Sequence, residues 1–270
     1  MSDRTQESFG LSRRPFDKTV PADMMWMDGG RQQAIDRLVE TVEHRQHALV
    51  LGEPGVGKTC VLRALRERLS PARFRLTYVS HVSLGRRDFY RQVCYAVGVE
   101  SKATPASMFE AIQREVAQSS SEHRQHAVLI LDEAHLIPDG TLSHLHLLAN
   151  FEWDSQPLLS LVFIGLPELH DRLRLGIHRS LLTRLQTRVE LSAGSADMTT
   201  AYVRKRLADA GARSELFTQD GLARLHEETG GVLRSIDVLA GAALRLAAVE
   251  EVALVDRNVV RRALPHTPLV

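Results

Sequence analysis

Two rhythms of apolar residues alternate along roughly the first 190 positions of the chain, and only one persists beyond them. GGRQQAIDRLVETVEHR (29–45) places Ile35, Leu38, Val39 and Val42 on one helical face. HALVLGEPGVGKTCVLRALRERL (47–69) then reads as a short buried strand, a glycine-rich turn and a helix. A strand FRLTYVSHV (74–82), a helix RRDFYRQVCYAVGV ending near Gly98, a helix PASMFEAIQREVAQSS and a strand AVLILD (127–132) come next. The pattern continues with a helix over TLSHLHLLANFEW (141–153), a strand LSLVFIG (159–165), a helix around RSLLTRLQ and a short strand TRVEL (187–191). Strands that read as continuous apolar runs and alternate with helices imply an α/β fold, a parallel sheet covered on both faces. From about Asp197 four helical segments follow with no strand between them: MTTAYVRKRLADAG, TQDGLARLHEETG, VLRSIDVLAGAALRLAAVE and DRNVVRRALP. That switch predicts a smaller all-helical domain, with SAGSAD (192–197) as the connector. The expected division is an N-terminal segment 1–30, an α/β domain 31–195 and a helical domain 196–270.

Composition adds constraints rather than a function. At 270 residues, 44% hydrophobic and 25% charged, the chain resembles an ordinary globular protein of one large domain with a smaller companion. A formal net charge of +1 creates no global field toward nucleic acid or membrane, though a local basic stripe can still bind DNA. Cys60 and Cys94 provide neither a disulfide framework nor metal-ligand spacing. The opening MSDRTQESFG lacks the apolar core of a signal peptide. The longest apolar run, LLSLVFIGL (158–166), is too short to span a bilayer, so a cytoplasmic protein with no membrane partner is expected.

The chemistry concentrates in two places. Gly52-Glu53-Pro54-Gly55-Val56-Gly57-Lys58-Thr59 matches G-x-x-x-x-G-K-[ST] in full. Glycines let backbone N–H groups curl around phosphates, and the helix that begins there points its positive end at them. Lys58 supplies a point charge for the β- and γ-phosphates, and Thr59 a hydroxyl for Mg²⁺. Cys60 adjoins the motif and is expected to be a small buried thiol. Asp132 lies 74 residues after Lys58, at the tip of an apolar strand where open α/β sheets bind ligands. Asp132 is expected to hold Mg²⁺, largely through water, and Glu133 to polarise the attacking water. ATP and Mg²⁺ are therefore the expected cofactors, and ATP hydrolysis the expected reaction.

LILDEAH spells the label of a helicase class, but such a helicase needs a second α/β domain, and only about eighty helical residues follow the fifth strand. FGLSRRPF, GEPGVGKT, LILDEAH, LLANFEWDSQPLLSLVFIGLPEL, LLTRLQTRVEL and TGGVLRSID together resemble the ExeA-type branch of AAA+ ATPases, to which MuB-like, TnsC-like and IstB-like transposition helpers are related. The resemblance spans roughly residues 8–262. It implies a P-loop AAA+ sheet sandwiched by helices, with the helical domain as a lid. It also implies that Arg184, or else Arg188, reaches a neighbouring copy's γ-phosphate; we favour Arg184. Arg234, three residues after Gly231, resembles the sensor-2 arginine of G-x-P-R, although Val232-Leu233 departs from that spelling. Phe16 and Trp26 are candidates for adenine or ribose contact, with core packing an equally good account of both. His135 is expected to be a partly buried histidine beside the site.

One departure matters. Gly165-Leu166-Pro167-Glu168-Leu169 carries leucine where relatives commonly have glutamine, so a polar sensor is missing. Either another polar group such as Asn150 replaces it, or hydrolysis is slow or partner-stimulated. Three functions fit the resemblance: a transposition regulator, an ExeA-like secretion-assembly ATPase, and a generic AAA+ protein remodeller. The chain stops at Val270 without the membrane helix and peptidoglycan-binding region of the secretion type, which favours the first. That reading predicts self-assembly as a ring or filament on double-stranded DNA and recruitment of a transposase. DNA contacts would be directed at phosphates, with Arg86, Arg87, Lys102 and Arg124 as candidates.

Overall fold

The structure is a computed structural model and describes residues 4–17 and 25–267. The sequence rhythms resolve into five strands, β1 (His47–Gly52), β2 (Phe74–Val79), β3 (His126–Leu131), β4 (Leu159–Gly165) and β5 (Leu185–Leu191). They form one parallel sheet in the order β2-β3-β4-β1-β5. β1, β3 and β4 are buried along their whole length, whereas β2 and β5 mix buried and exposed positions, as edge strands do. The helices before the fourth strand are α1 (Arg4–Phe9), α2 (Gly29–Glu43), α3 (Lys58–Arg68), α4 (Arg86–Val97), α5 (Pro105–Glu122), α6 (Asp139–Leu142) and α7 (Leu145–Leu148). After it come α8 (Glu168–Leu173), α9 (Arg179–Leu182), α10 (Ala196–Asp209), α11 (Gln219–Thr229), α12 (Leu233–Val249) and α13 (Arg257–Ala263).

Local chemistry sets several boundaries. α4 stops because Gly98 takes a left-handed conformation (φ 79°) and its N–H turns back to Cys94 and Tyr95 carbonyls. α5 starts on a reciprocal Thr104–Ser107 cap with Pro105 in its first turn. The helix expected over 141–153 is instead two single turns, α6 and α7, followed by a loop in which Glu152, Trp153 and Asp154 all have positive φ. Leu142, Leu145 and Leu148 still bury together, so the apolar spacing was real while the continuous helix was not.

Two compact units emerge. The α/β unit comprises residues 29–53 and 58–191, with Phe89, Met108, Ile112, Leu129, Leu131 and Phe163 at its core. The helical unit comprises residues 192–270 together with the N-terminal segment and 54–57. Of the N-terminal segment, the described residues Phe9, Leu11, Phe16 and Trp26 pack with the helical core. Ser12 N–H donates to Ala210 O at 2.8 Å, and the buried Arg206 donates to Pro15 O and Asp17 O, both at 2.7 Å.

Candidate functional site

In the α/β unit the candidate residues stand at the C-terminal ends of parallel strands. β4 separates β1 from β3, so the strand ends that deliver the phosphate loop and Asp132 are roughly 10 Å apart. Lys58 folds back over the loop, its Nζ donating to Gly52 O at 2.6 Å and Glu53 O at 3.1 Å. Thr59 is exposed on the first turn of α3, and Cys60 beside it is half-buried. Asp132 Oδ1 accepts the N–H of Glu133 at 2.9 Å, and its Oδ2 accepts the Tyr78 hydroxyl at 2.5 Å. Partial burial, then the hydrogen bond to Asp132, raises the Tyr78 hydroxyl above its ordinary pKa. Tyr78 escaped the sequence reading, although its place one residue from the end of β2 puts it at the tip of the strand neighbouring Asp132.

Glu133 has φ 52°, a left-handed conformation that costs a non-glycine residue of order 1 kcal/mol and concentrates at functional sites. Its carboxylate is half exposed, with His135 Nδ1 at 3.5 Å from Oε2. His135 is more deeply buried than a bystander needs to be, with its side chain 8% exposed.

In the helical unit the loop residues Pro54–Gly57 lie against the start of α12. Arg234 N–H donates to Gly55 O at 3.2 Å, and a Cβ on Gly55 would meet Arg234 Cβ and Val232 Cγ1 at 2.9 Å. With φ 83° as well, position 55 accepts only glycine. Gly57 is also left-handed (φ 104°), Val56 is buried, Pro54 is exposed, and the Arg234 side chain is exposed. Phe16 packs against the helical core with the Arg206 guanidinium 5.9 Å from its ring centroid. Trp26 meets Tyr202 edge-on, its ring nitrogen buried without a partner. Core packing therefore describes Phe16 and Trp26 as they stand.

Several expected residues do not join this group. Gln156 N–H donates to Phe151 O, which closes the 151–156 loop just before β4 begins and leaves Asn150 there too. The Asn150 carbonyl accepts Gln113 Nε2 at 3.1 Å, and Asp154, four residues on, pairs with Arg184. Arg184 sits one residue before β5, whose first residue pairs with His47, the first of β1. It is paired with Asp154 at 2.7 Å, at the opposite end of the strands from Lys58. Arg188 is exposed on edge strand β5 and bonded to His170 and Glu190. The four basic candidates for DNA scatter. Arg86 Nη2 donates to Gly140 O at 2.5 Å and, with the exposed Arg87, follows the end of β2. Arg124 precedes the start of β3, and Lys102 pairs with Glu100 in the α4–α5 connection.

The oxygen set of Thr59 and Asp132, one hydroxyl and one carboxylate, suits magnesium, which takes few protein ligands and completes its shell with phosphate and water. A loop turned by glycines, a lysine across it and an eleven-residue helix starting at it suit the polyphosphate. When bound, Mg²⁺ neutralises developing phosphate charge. The carboxylate beyond it, Glu133, is exposed enough to take a proton from water.

Sheet order and phosphate loop give the α/β unit the fold of AAA+ ATPases. A profile of the AAA domain family matches residues 40–173. General secretion pathway protein A of Aeromonas hydrophila is 33% identical over 239 residues, which cover 87% of this chain and 43% of that one. The chain therefore spans under half the length of this curated relative. Among solved structures, Cdc6p from Pyrobaculum aerophilum superposes with a TM-score of 0.73 at 16% identity, over 94% of this chain and 70% of its own. The Orc1 protein of Aeropyrum pernix, solved in complex with DNA, gives 0.71 at 18% identity over 98% and 71%. At these identities the two structures establish the fold alone. No helix among the described residues is long and apolar enough to cross a membrane.

Proposed function

We propose that this chain is the ATPase module of a secretion-assembly protein of the general secretion pathway protein A type. The 33% identity to that protein, running through the AAA domain and the helical unit, carries the reading. The loop 52–59 holds Mg²⁺·ATP, with Thr59 and Asp132 on the metal and Arg234 attending the nucleotide from the helical unit. Glu133 takes the proton of the attacking water, Arg184 completes the site of a neighbouring copy, and the cycle works on a protein partner from the cytoplasmic, ATP-containing side. The transposition reading, with duplex DNA and a transposase as partners, draws no support from the relatives.

The deciding experiment measures ATP turnover and self-association of the full chain with Mg²⁺, with and without random-sequence duplex DNA. Turnover and ATP-dependent self-association indifferent to DNA are expected. Binding to duplex DNA that requires a non-hydrolysable ATP analogue would overturn the reading in favour of a DNA-assembled regulator.

A further inference from the structure

The end of β4 has no polar side chain to offer, because Leu166 stands there, yet the neighbourhood of Glu133 is not apolar. His135, two residues beyond Glu133, fills the space. Its Nδ1 lies 3.5 Å from Glu133 Oε2 and 3.5 Å from the N–H of Leu166. The ring fits because residue 165 is glycine: a Cβ there would stand 3.2 Å from His135 N and 3.3 Å from its Nδ1. The backbone of His135 is fastened as well. Arg172 Nη1 donates to His135 O, while its Nη2 donates to Ile137 O at 2.8 Å and Asp139 Oδ1 at 2.5 Å. Asp139 in turn meets the buried His178 at 3.0 Å. A ring this enclosed is a rigid object, whereas the Glu133 carboxylate beside it is 49% exposed and has rotamers to choose among.

We infer that His135 is a positioning residue, whose Nδ1 fixes the Glu133 carboxylate toward the attacking water in the place where β4 supplies no polar atom. The inference rests on Glu133 being the proton acceptor, as proposed above. The tautomer with hydrogen on Nδ1 donates to Glu133, and the other accepts from Leu166 N–H, so the ring stays satisfied whichever way the carboxylate turns.

Asparagine and glutamine separate this role from simple packing. The amide of Asn reaches the position of Nδ1, and that of Gln reaches the position of Nε2. Steady-state ATPase of the full chain is compared for His135→Ala, His135→Asn, His135→Gln and Glu133→Gln, with nucleotide affinity and thermal midpoint measured on each. The alanine and glutamine variants are expected to lose about 10–100-fold in kcat with KM and nucleotide affinity unchanged, as for a misplaced catalytic group. The asparagine variant is expected within about threefold of the parent, since it restores a polar atom at the working position. Unchanged kcat in the alanine variant, or equal loss in Asn and Gln, overturns the inference. If alanine fails to fold, the Asn–Gln difference alone decides. If Glu133→Gln retains turnover, Glu133 is not the proton acceptor, and the inference falls with that reading rather than by itself.

Discussion

Both ends of the parallel sheet are polar, and they use their polarity in opposite ways. At the C-terminal ends of the strands, Thr59 and Glu133 are exposed and Glu133 sits in a strained backbone conformation. At the N-terminal ends, several polar groups bond one another, although His126 Nδ1 is buried without a partner. His47, the first residue of β1, accepts the N–H of Leu161 on Nδ1 at 3.0 Å, while its own N–H donates to Gln186 Oε1 at 3.1 Å. His126, the first of β3, places Nε2 2.8 Å from the Ser160 hydroxyl in the strand beside it. Arg184 and Asp154 close on each other nearby. One edge leaves Thr59 and Glu133 exposed, and the other uses buried polar atoms to hold strand starts together. The comparison teaches that polar residues at a sheet edge announce a site when they stay exposed rather than when they are merely polar.

The largest effect tests the one residue of the quiet edge with a proposed catalytic duty. If Arg184 serves a neighbouring copy, Arg184→Ala lowers turnover by about 10³–10⁵-fold. Its loss of the Asp154 pair, half exposed, costs stability by about 1 kcal/mol or less. Mixing Arg184→Ala protein with Glu133→Gln protein then restores activity, because an intact Glu133 site is completed by an intact Arg184 from the other copy. Turnover that stays flat on mixing would leave the N-terminal edge purely structural.

Next comes the titration of the buried histidines. Burial, and after it the nearby Arg184, depresses His47 to about 4; Asp154 works the other way. Burial likewise brings His126 to about 4, helped by Arg45 and His47. The folded chain therefore keeps both rings neutral where the unfolded chain, at about 6.5, protonates them. Full stability is present above pH 6.5 and is lost as pH falls toward 4. Each ring contributes up to about 1.4 kcal/mol per pH unit, or roughly 3 kcal/mol across the window. Denaturant midpoints measured at pH 7.5, 6.5, 5.5 and 4.5 should fall steadily, and His126→Gln should shallow the slope by about half. Equal slopes in both proteins would show that the N-terminal edge is less closed to water than its hydrogen bonds imply.

The same contrast explains what the sequence made legible. The phosphate loop and Asp132–Glu133 could be read because both lie within a few residues of an apolar run that fixes their place on the sheet. Asn150 is harder to place, because eight residues of chain separate it from β4 and the Phe151–Gln156 closure between them leaves no periodic trace. The loop after α7 is tied at Asp154 to Arg184, thirty residues on, a contact no local pattern announces. The docking of residues 12–17 onto Arg206 and Ala210 spans about two hundred residues and left no periodic trace. His135 was visible as a letter in DEAH, but its closeness to Glu133 follows from the left-handed turn at 133 and the missing side chain at Gly165. Local pattern names the elements, and long-range closure decides which of their residues meet.

The smallest expected effect separates the two candidate arginines. Arg188 lies on the exposed face of β5, held to Glu190 at 2.8 Å and to His170 at 2.9 Å. Its pair with Glu190 is about half exposed at both ends, and such pairs contribute about 0–1 kcal/mol. Arg188→Ala should accordingly leave turnover within about twofold and the denaturant midpoint nearly unmoved. Salt should erase even that residue of effect, because water and ions screen charges on this face. A turnover loss comparable to that of Arg184→Ala, rescued on mixing with Glu133→Gln protein, would transfer the trans-acting duty from Arg184 to Arg188. The start of β5 would then rank with the rest of the quiet edge, its Asp154 pair doing no more than ending a loop.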